Sequence, residues 1–164
     1  KVTTDELTGI SNRRSFEGYM TRRMSTLRGS GMLFLFMIDV DHFKQINDRW
    51  GHSTGDEALK QTAELLKSAV SRNDFIGRVG GDEFVVILQN RDLNECEELF
   101  QNFDQGCADA VVEADEDNNI ALSIAKGFAK YDPAADKQFV DVFNRADEEM
   151  YKNKRKMKAE ALQK

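Results

Sequence analysis

Seven apolar residues in unbroken succession, Met32-Leu33-Phe34-Leu35-Phe36-Met37-Ile38, run straight into Asp39-Val40-Asp41. A half-exposed strand alternates apolar and polar side chains, so a run without alternation predicts a strand buried on both faces. Seven residues fall far short of the ~20 that a bilayer-spanning helix needs. The chain must therefore build a sheet with packed layers above and below it, and that strand must end in acid. Its 164 residues suffice for one such domain, spanning 1–164. A chain of this size buries roughly 70% of its unfolded surface and needs no disulfide or structural metal to fold.

Other elements arrange themselves around this strand. Asn12 is the expected N-cap of a helix whose apolar stripe is Phe16, Met20, Met24 and Leu27, broken by Gly29 to Gly31. After Asp41, itself the expected N-cap of a helix starting at His42, come Phe43, Ile46 and Trp50, with Gly51 as the stop. A longer helix follows from Ser53 to Val70. Phe75 to Val79 and Phe84 to Leu88 flank Gly80-Gly81 and read as a hairpin. Leu93, Cys96, Phe100, Phe103 and Cys107 mark a further helix, Ile120 to Ala129 a strand, and Phe139 to Tyr151 a last helix. The order predicts an α+β fold: a ferredoxin-like βαββαβ core whose central antiparallel or mixed sheet is flanked by helices. Right-handed crossovers place the connecting helices on one face of the sheet. They also set the end of the first strand beside the hairpin turn.

Composition removes several function classes. A net charge of −6 and a pI near 5.0 argue against coating nucleic acid, and no segment predicts membrane contact. Cys96 and Cys107 are eleven residues apart, three helical turns, and predict two thiols on the buried face of one helix. Free thiols and a polar start at Lys1-Val2-Thr3-Thr4-Asp5 fit a cytoplasmic chain. The abrupt opening in motif-like sequence predicts a module taken from a longer protein.

Chemistry concentrates in the acids. Asp39 at one strand tip and Asp82 with Glu83 at the hairpin tip predict three carboxylates at one sheet edge. Acids packed that closely repel and rise in pKa unless a cation sits among them. Oxygen donors without nearby histidine or cysteine suit Mg²⁺ or Mn²⁺, which complete their shells from water and phosphates. Asp41, by contrast, is read as a cap and not as a ligand. The sequence contains neither G-x-x-x-x-G-K-[ST] nor G-x-G-x-x-G, so any nucleotide is held in another way. The helix N-terminus at His42-Phe43-Lys44 offers free amides for phosphates. Asn47 and Asp56 lie farther along; a carboxylate suits the N1–H and N2–H₂ donors of guanine, although by itself this names no base.

Taken together, these segments resemble the GGDEF family of diguanylate cyclases. Arg78 followed by Gly80-Gly81-Asp82-Glu83-Phe84 matches its signature. Asp39-Val40-Asp41-His42-Phe43-Lys44-Gln45-Ile46-Asn47-Asp48, then Gly51-His52 and Gly55-Asp56, resembles D-x-D-x-F-K-x-x-N-D…G-H-x-x-G-D. Asp5-Glu6-Leu7-Thr8-Gly9 with Asn12-Arg13-Arg14 is similar to the opening D-x-L-T-G-x-x-N-R-R, and Arg145-Ala146-Asp147 with Met150-Tyr151 and Lys154 to the closing R-A-D-x-x-L-Y-x-x-K. The resemblance implies a palm-like, nucleotidyl-cyclase-like domain that condenses two GTP into cyclic di-GMP and two pyrophosphates. It implies two Mg²⁺ (or Mn²⁺) per active site, held by Asp39, the Val40 carbonyl, Asp82 and Glu83, with Asp82 or Glu83 helping to remove the 3′-hydroxyl proton. Phe43, Lys44, Lys154 and Lys158 match phosphate-side positions, Asn47 and Asp56 guanine-reading positions, and His52 lies near the nucleotide. It also implies a transient or regulated homodimer and an upstream sensor domain.

The sequence departs from the family in two places. The inhibitory R-x-x-D motif has Ser71 in its arginine position, Arg72 one place late, and Asp74 in the acid position, a degenerate site. Lys158 stands where the family has arginine, and five of the seven residues from Lys152 to Lys158 are basic, either a solvated helix face or an extra grip on phosphate. A catalytically inactive GTP-binding or dimerisation module that regulates a partner domain is the competing expectation; intact Asp39, Asp82 and Glu83 favour the enzyme.

Overall fold

The apolar run forms the strand β1 (Leu33–Val40), and all eight of its residues are buried. In a computed structural model that describes residues 2–27 and 32–163, β1 lies inside a four-stranded sheet. Helix α1 (Arg13–Thr26) precedes it; α2 (Phe43–Trp50) and α3 (His52–Ala69) lead from it to β2 (Phe75–Arg78) and β3 (Glu83–Gln89). Then come α4 (Leu93–Asp109), β4 (Val111–Glu113), β5 (Asn119–Ala121), β6 (Ile124–Lys130) and α5 (Phe139–Leu162). The sheet order is β2-β3-β1-β6 with every neighbouring pair antiparallel, the ferredoxin-like arrangement.

The missing alternation in β1 has a direct cause. Phe34, Phe36, Ile38 and Val40 pack with α3 and α4 through Leu59, Leu66, Phe100 and Phe103. Leu33, Leu35 and Met37 pack on the other face with Phe16 and Met20 of α1 and Val142, Ala146 and Met150 of α5. The crossover helices share one face as expected, and α1 and α5 form a third layer. The local signals hold too: the Asn12 side chain accepts from the Ser15 amide at 2.9 Å, and Gly51 ends α2 at φ 96°. Cys96 and Cys107 are both buried on α4, and burial lifts their thiols to about 11 and about 12.

Three expectations change. The segment from Ile120 to Ala129 is two strands: β5 pairs with β4 in a separate hairpin, while β6 joins the main sheet. The hairpin around Gly80-Gly81 forms, but its strand bounds shift by a residue: β2 and β3 are joined by residues 79–82, and neither glycine adopts a positive φ. Asp41 does not cap α2: His42 holds the cap position at φ 59° with no side-chain cap bond, and Asp41 faces Ser123 and the His42 ring instead. The expected break at Gly29 to Gly31 lies outside the described residues. No helix among the described residues is long and apolar enough to cross a membrane.

Candidate active site

The sheet register brings the acids together. Asp39 sits opposite Glu83 in the β1–β3 ladder, and the Val40 amide donates to the Asp82 carbonyl at 3.1 Å. Asp39 is only 4% exposed. Its Oδ2 meets Lys154 Nζ at 2.5 Å, while its Oδ1 is buried with no hydrogen-bond partner. Burial, reinforced by the neighbouring Asp82 carboxyl, pushes Asp39 up to about 7 against the pull of Lys154. Glu83 is also raised, first by burial and then by Asp147 and Asp82. Lys154 is burdened by its own burial, yet its bond to Asp39 keeps it above the usual lysine range.

The position of Lys154 follows from one glycine. Ala125, Gly127 and Ala129 present a small-residue stripe of β6 to α5, and a Cβ at Gly127 would fall 2.0 Å from the Met150 amide nitrogen. Helix α5 therefore crosses the sheet at backbone contact, and one turn later Lys154 reaches Asp39. Asn153, beside it, accepts from the Lys126 amide of β6 at 2.8 Å and fixes the same crossing.

The connecting loop 79–82 is braced from outside. Arg78 donates to the Gly81 carbonyl at 2.7 Å and to Asp5 Oδ1 at 3.1 Å. Burial opposes ionisation of Asp5, but the Thr8 hydroxyl and amide and the Arg78 guanidinium hold its carboxyl below the usual range. A Cβ at Gly80 would lie 2.8 Å from Glu83 Oε1, so glycine lets that carboxylate fold back over the loop. A Cβ at Gly81 would meet nothing. Gly80 thus stands by the acids for space and not for φ, while neither space nor φ requires glycine at position 81.

A cleft of about 360 Å³ opens beside the acids. It brings together Val40, Phe43, Lys44, Asp82, Lys154 and Lys158 of the predicted set. Asn47, His52 and Asp56 lie outside it, on the neighbouring α2–α3 surface. There Asn47 Oδ1 is buried without a partner, 1.9 Å from where a Gly55 Cβ would stand, and the Phe43 ring is 3.2 Å from the same point. Phe43 thus links the cleft to the Asn47–Gly55–Asp56 surface. The oxygen donors fit a hard divalent cation: Asp39 keeps a free buried oxygen, and an ammonium already occupies the anionic corner. Among the described residues, no three His, Cys, Asp or Glu side chains gather closely enough to enclose a metal alone. The predicted carboxylates are neighbours at the end of the ladder, with Lys154 standing among them as a counter-ion.

A sequence profile described as "Diguanylate cyclase, GGDEF domain" matches residues 2–160. The chain belongs to the GGDEF family. It is similar to diguanylate cyclase DosC of Escherichia coli K12, at 33% identity over 95% of this chain and 34% of that protein. It is likewise 33% identical to diguanylate cyclase DgcP of Pseudomonas aeruginosa, over 94% of this chain and 23% of the relative. The chain thus spans about a third or less of the length of these curated relatives. In structure it resembles the GGDEF domain of DgcB from Caulobacter crescentus in complex with c-di-GMP, with a TM-score of 0.86, 28% identity, and coverage of 94% and 91% of the two chains.

Within this GGDEF domain, Asp74, at the acid position of the expected inhibitory motif, is taken up by local partners. The Asp74 side chain, 1% exposed, pairs with Arg91 at 2.5 Å and accepts from the Ser71 amide at 2.9 Å. Arg72 remains exposed outside that cluster. Arg145 of the closing motif pairs with buried Asp136 and donates to the Lys130 carbonyl at 2.9 Å. Sequence reasoning did not assign Tyr151 or Arg155 to the cleft, nor Asp147 to the Glu83 environment. The signal available was helical spacing, since 151, 154, 155 and 158 share one face.

Proposed function

We propose that this domain is an active diguanylate cyclase, joining two GTP into cyclic di-GMP with release of two pyrophosphates. The observation that carries the reading is the acid corner: Asp39 buried with one oxygen unpartnered, Asp82 and Glu83 beside it, and a cation-lined cleft alongside. Asp39, the Val40 carbonyl, Asp82 and Glu83 would hold two divalent cations, Mg²⁺ or Mn²⁺. When bound, these supply Lewis-acid polarisation of the α-phosphate and neutralise the leaving pyrophosphate. Phe43, Lys44, Lys154 and Lys158 position the phosphates, while Asn47 and Asp56, with His52 nearby, face the base. Asp82 or Glu83 receives the 3′-hydroxyl proton, and the raised basicity of Glu83 supports such a role. Each copy holds one GTP, so two copies must face each other, and an upstream sensor would set how often they do. With Ser71 at the arginine position and Asp74 paired to Arg91, that corner lacks the usual form of a product-inhibition site.

The deciding experiment incubates purified protein with Mg²⁺ and GTP and resolves the products. Cyclic di-GMP should form, and Asp82→Asn should abolish it with the cooperative melt intact. GTP bound but unconsumed at high protein concentration overturns the reading in favour of a regulatory module.

A further inference from the structure

Four cations line the cleft in a chain whose net charge is −6: Lys44, Lys154, Arg155 and Lys158. They are not equivalent. Lys154 is committed to Asp39 at 2.5 Å, and Lys44 is paired with Asp48 at 3.1 Å. Arg155 and Lys158 have no ion-pair partner among the described residues. Of these two, only Arg155 carries a planar fork able to donate two parallel hydrogen bonds to one phosphate; an ammonium acts as a point charge. The basic stretch of α5 is therefore sorted by face. Tyr151, Lys154, Arg155 and Lys158, at i, i+3, i+4 and i+7, turn toward the cleft, whereas Lys152 and Lys156 do not line it.

We infer that Arg155 is the residue that clamps the terminal diphosphate of the bound nucleotide, through a bidentate contact made from α5. The assignment rests on the cyclase reading for the identity of the nucleotide, but the ligand chemistry it requires is only a diphosphate in the cleft. Lys158 adds charge, and Lys154, held against Asp39, faces the phosphates only as a point charge between them and the acids.

Equilibrium binding of inorganic pyrophosphate and of GTP, both with Mg²⁺, tests this on wild type, R155Q, R155K and K156Q. Loss of one charge-assisted bidentate contact should weaken both ligands about ten-fold in R155Q. R155K should recover only part, and K156Q, with the same change in net charge on the other face, should bind as wild type does. In turnover, R155Q should raise KM for GTP about ten-fold and leave kcat within about two-fold. Pyrophosphate affinity unchanged in R155Q, equal losses in R155Q and K156Q, full recovery by R155K, or a wild type that binds no pyrophosphate would each overturn the assignment. A wild type that makes no cyclic di-GMP, with pyrophosphate affinity still falling in R155Q, defeats the cyclase reading and leaves this one standing.

Discussion

At the scale of single residues, the acid corner gathers more carboxylate than the Lys154 ammonium alone relieves. An ordinary carboxyl ionises near 3.8, but Asp39 holds its proton up to about 7. Between those values the folded chain binds a proton that the unfolded chain has released. The Asp39 contribution to stability is therefore full below pH 4 and lost as pH rises through about 7. In urea denaturation of the metal-free protein, Asp39→Asn should gain on wild type as pH climbs from about 4 to about 8; parallel curves would refute the buried-acid account. The base side makes a separate demand. Asp56 is exposed next to Gly55, over which Asn47 keeps a buried, unpartnered oxygen. Asp56→Ser should relax the choice between GTP and ATP in a competition assay, and an unchanged preference would remove Asp56 from base reading.

Among the elements, the α5–β6 crossing positions the site. A methyl group at Gly127 would collide with backbone at Met150, where no side-chain rotation can relieve it. Gly127→Ala should cost about 3 kcal/mol in urea unfolding and should lower activity by moving Lys154 away from Asp39; a variant as stable as wild type would show that the helix can lift freely. Such crossings explain what the sequence shows and what it hides. The two-faced burial of β1, the Asn12 cap and the Gly51 stop were legible because each depends on neighbours in the chain. The β4–β5 hairpin was not, since its three-residue strands carry too little pattern and Leu122, buried, continues the apolar run into β6. The cap reading at Asp41 failed because His42 takes the left-handed turn one residue later. The Lys154–Asp39 pair joins residues far apart in sequence and exists only through tertiary packing, so the acids were readable while their counter-ion was not.

For the whole molecule, the proposed cyclase reaction, with one GTP per copy, would require two copies. Specific activity should climb with protein concentration and plateau once dimers form; a value constant from nanomolar to micromolar protein would show that each copy works alone. The three-layer build gives the carboxylates a firm base, since both faces of β1 are buried and Asp39 and Glu83 lie in register on adjacent strands of a covered sheet. The Asp5–Arg78–Gly81 connection described above has a mechanical meaning. It ties the Asp5–Gly9 turn to the carboxylate loop through a single guanidinium. A shift of the Asp5–Gly9 turn would therefore pull on the Gly81 carbonyl through Arg78, next to the residue that carries the Asp82 carboxylate.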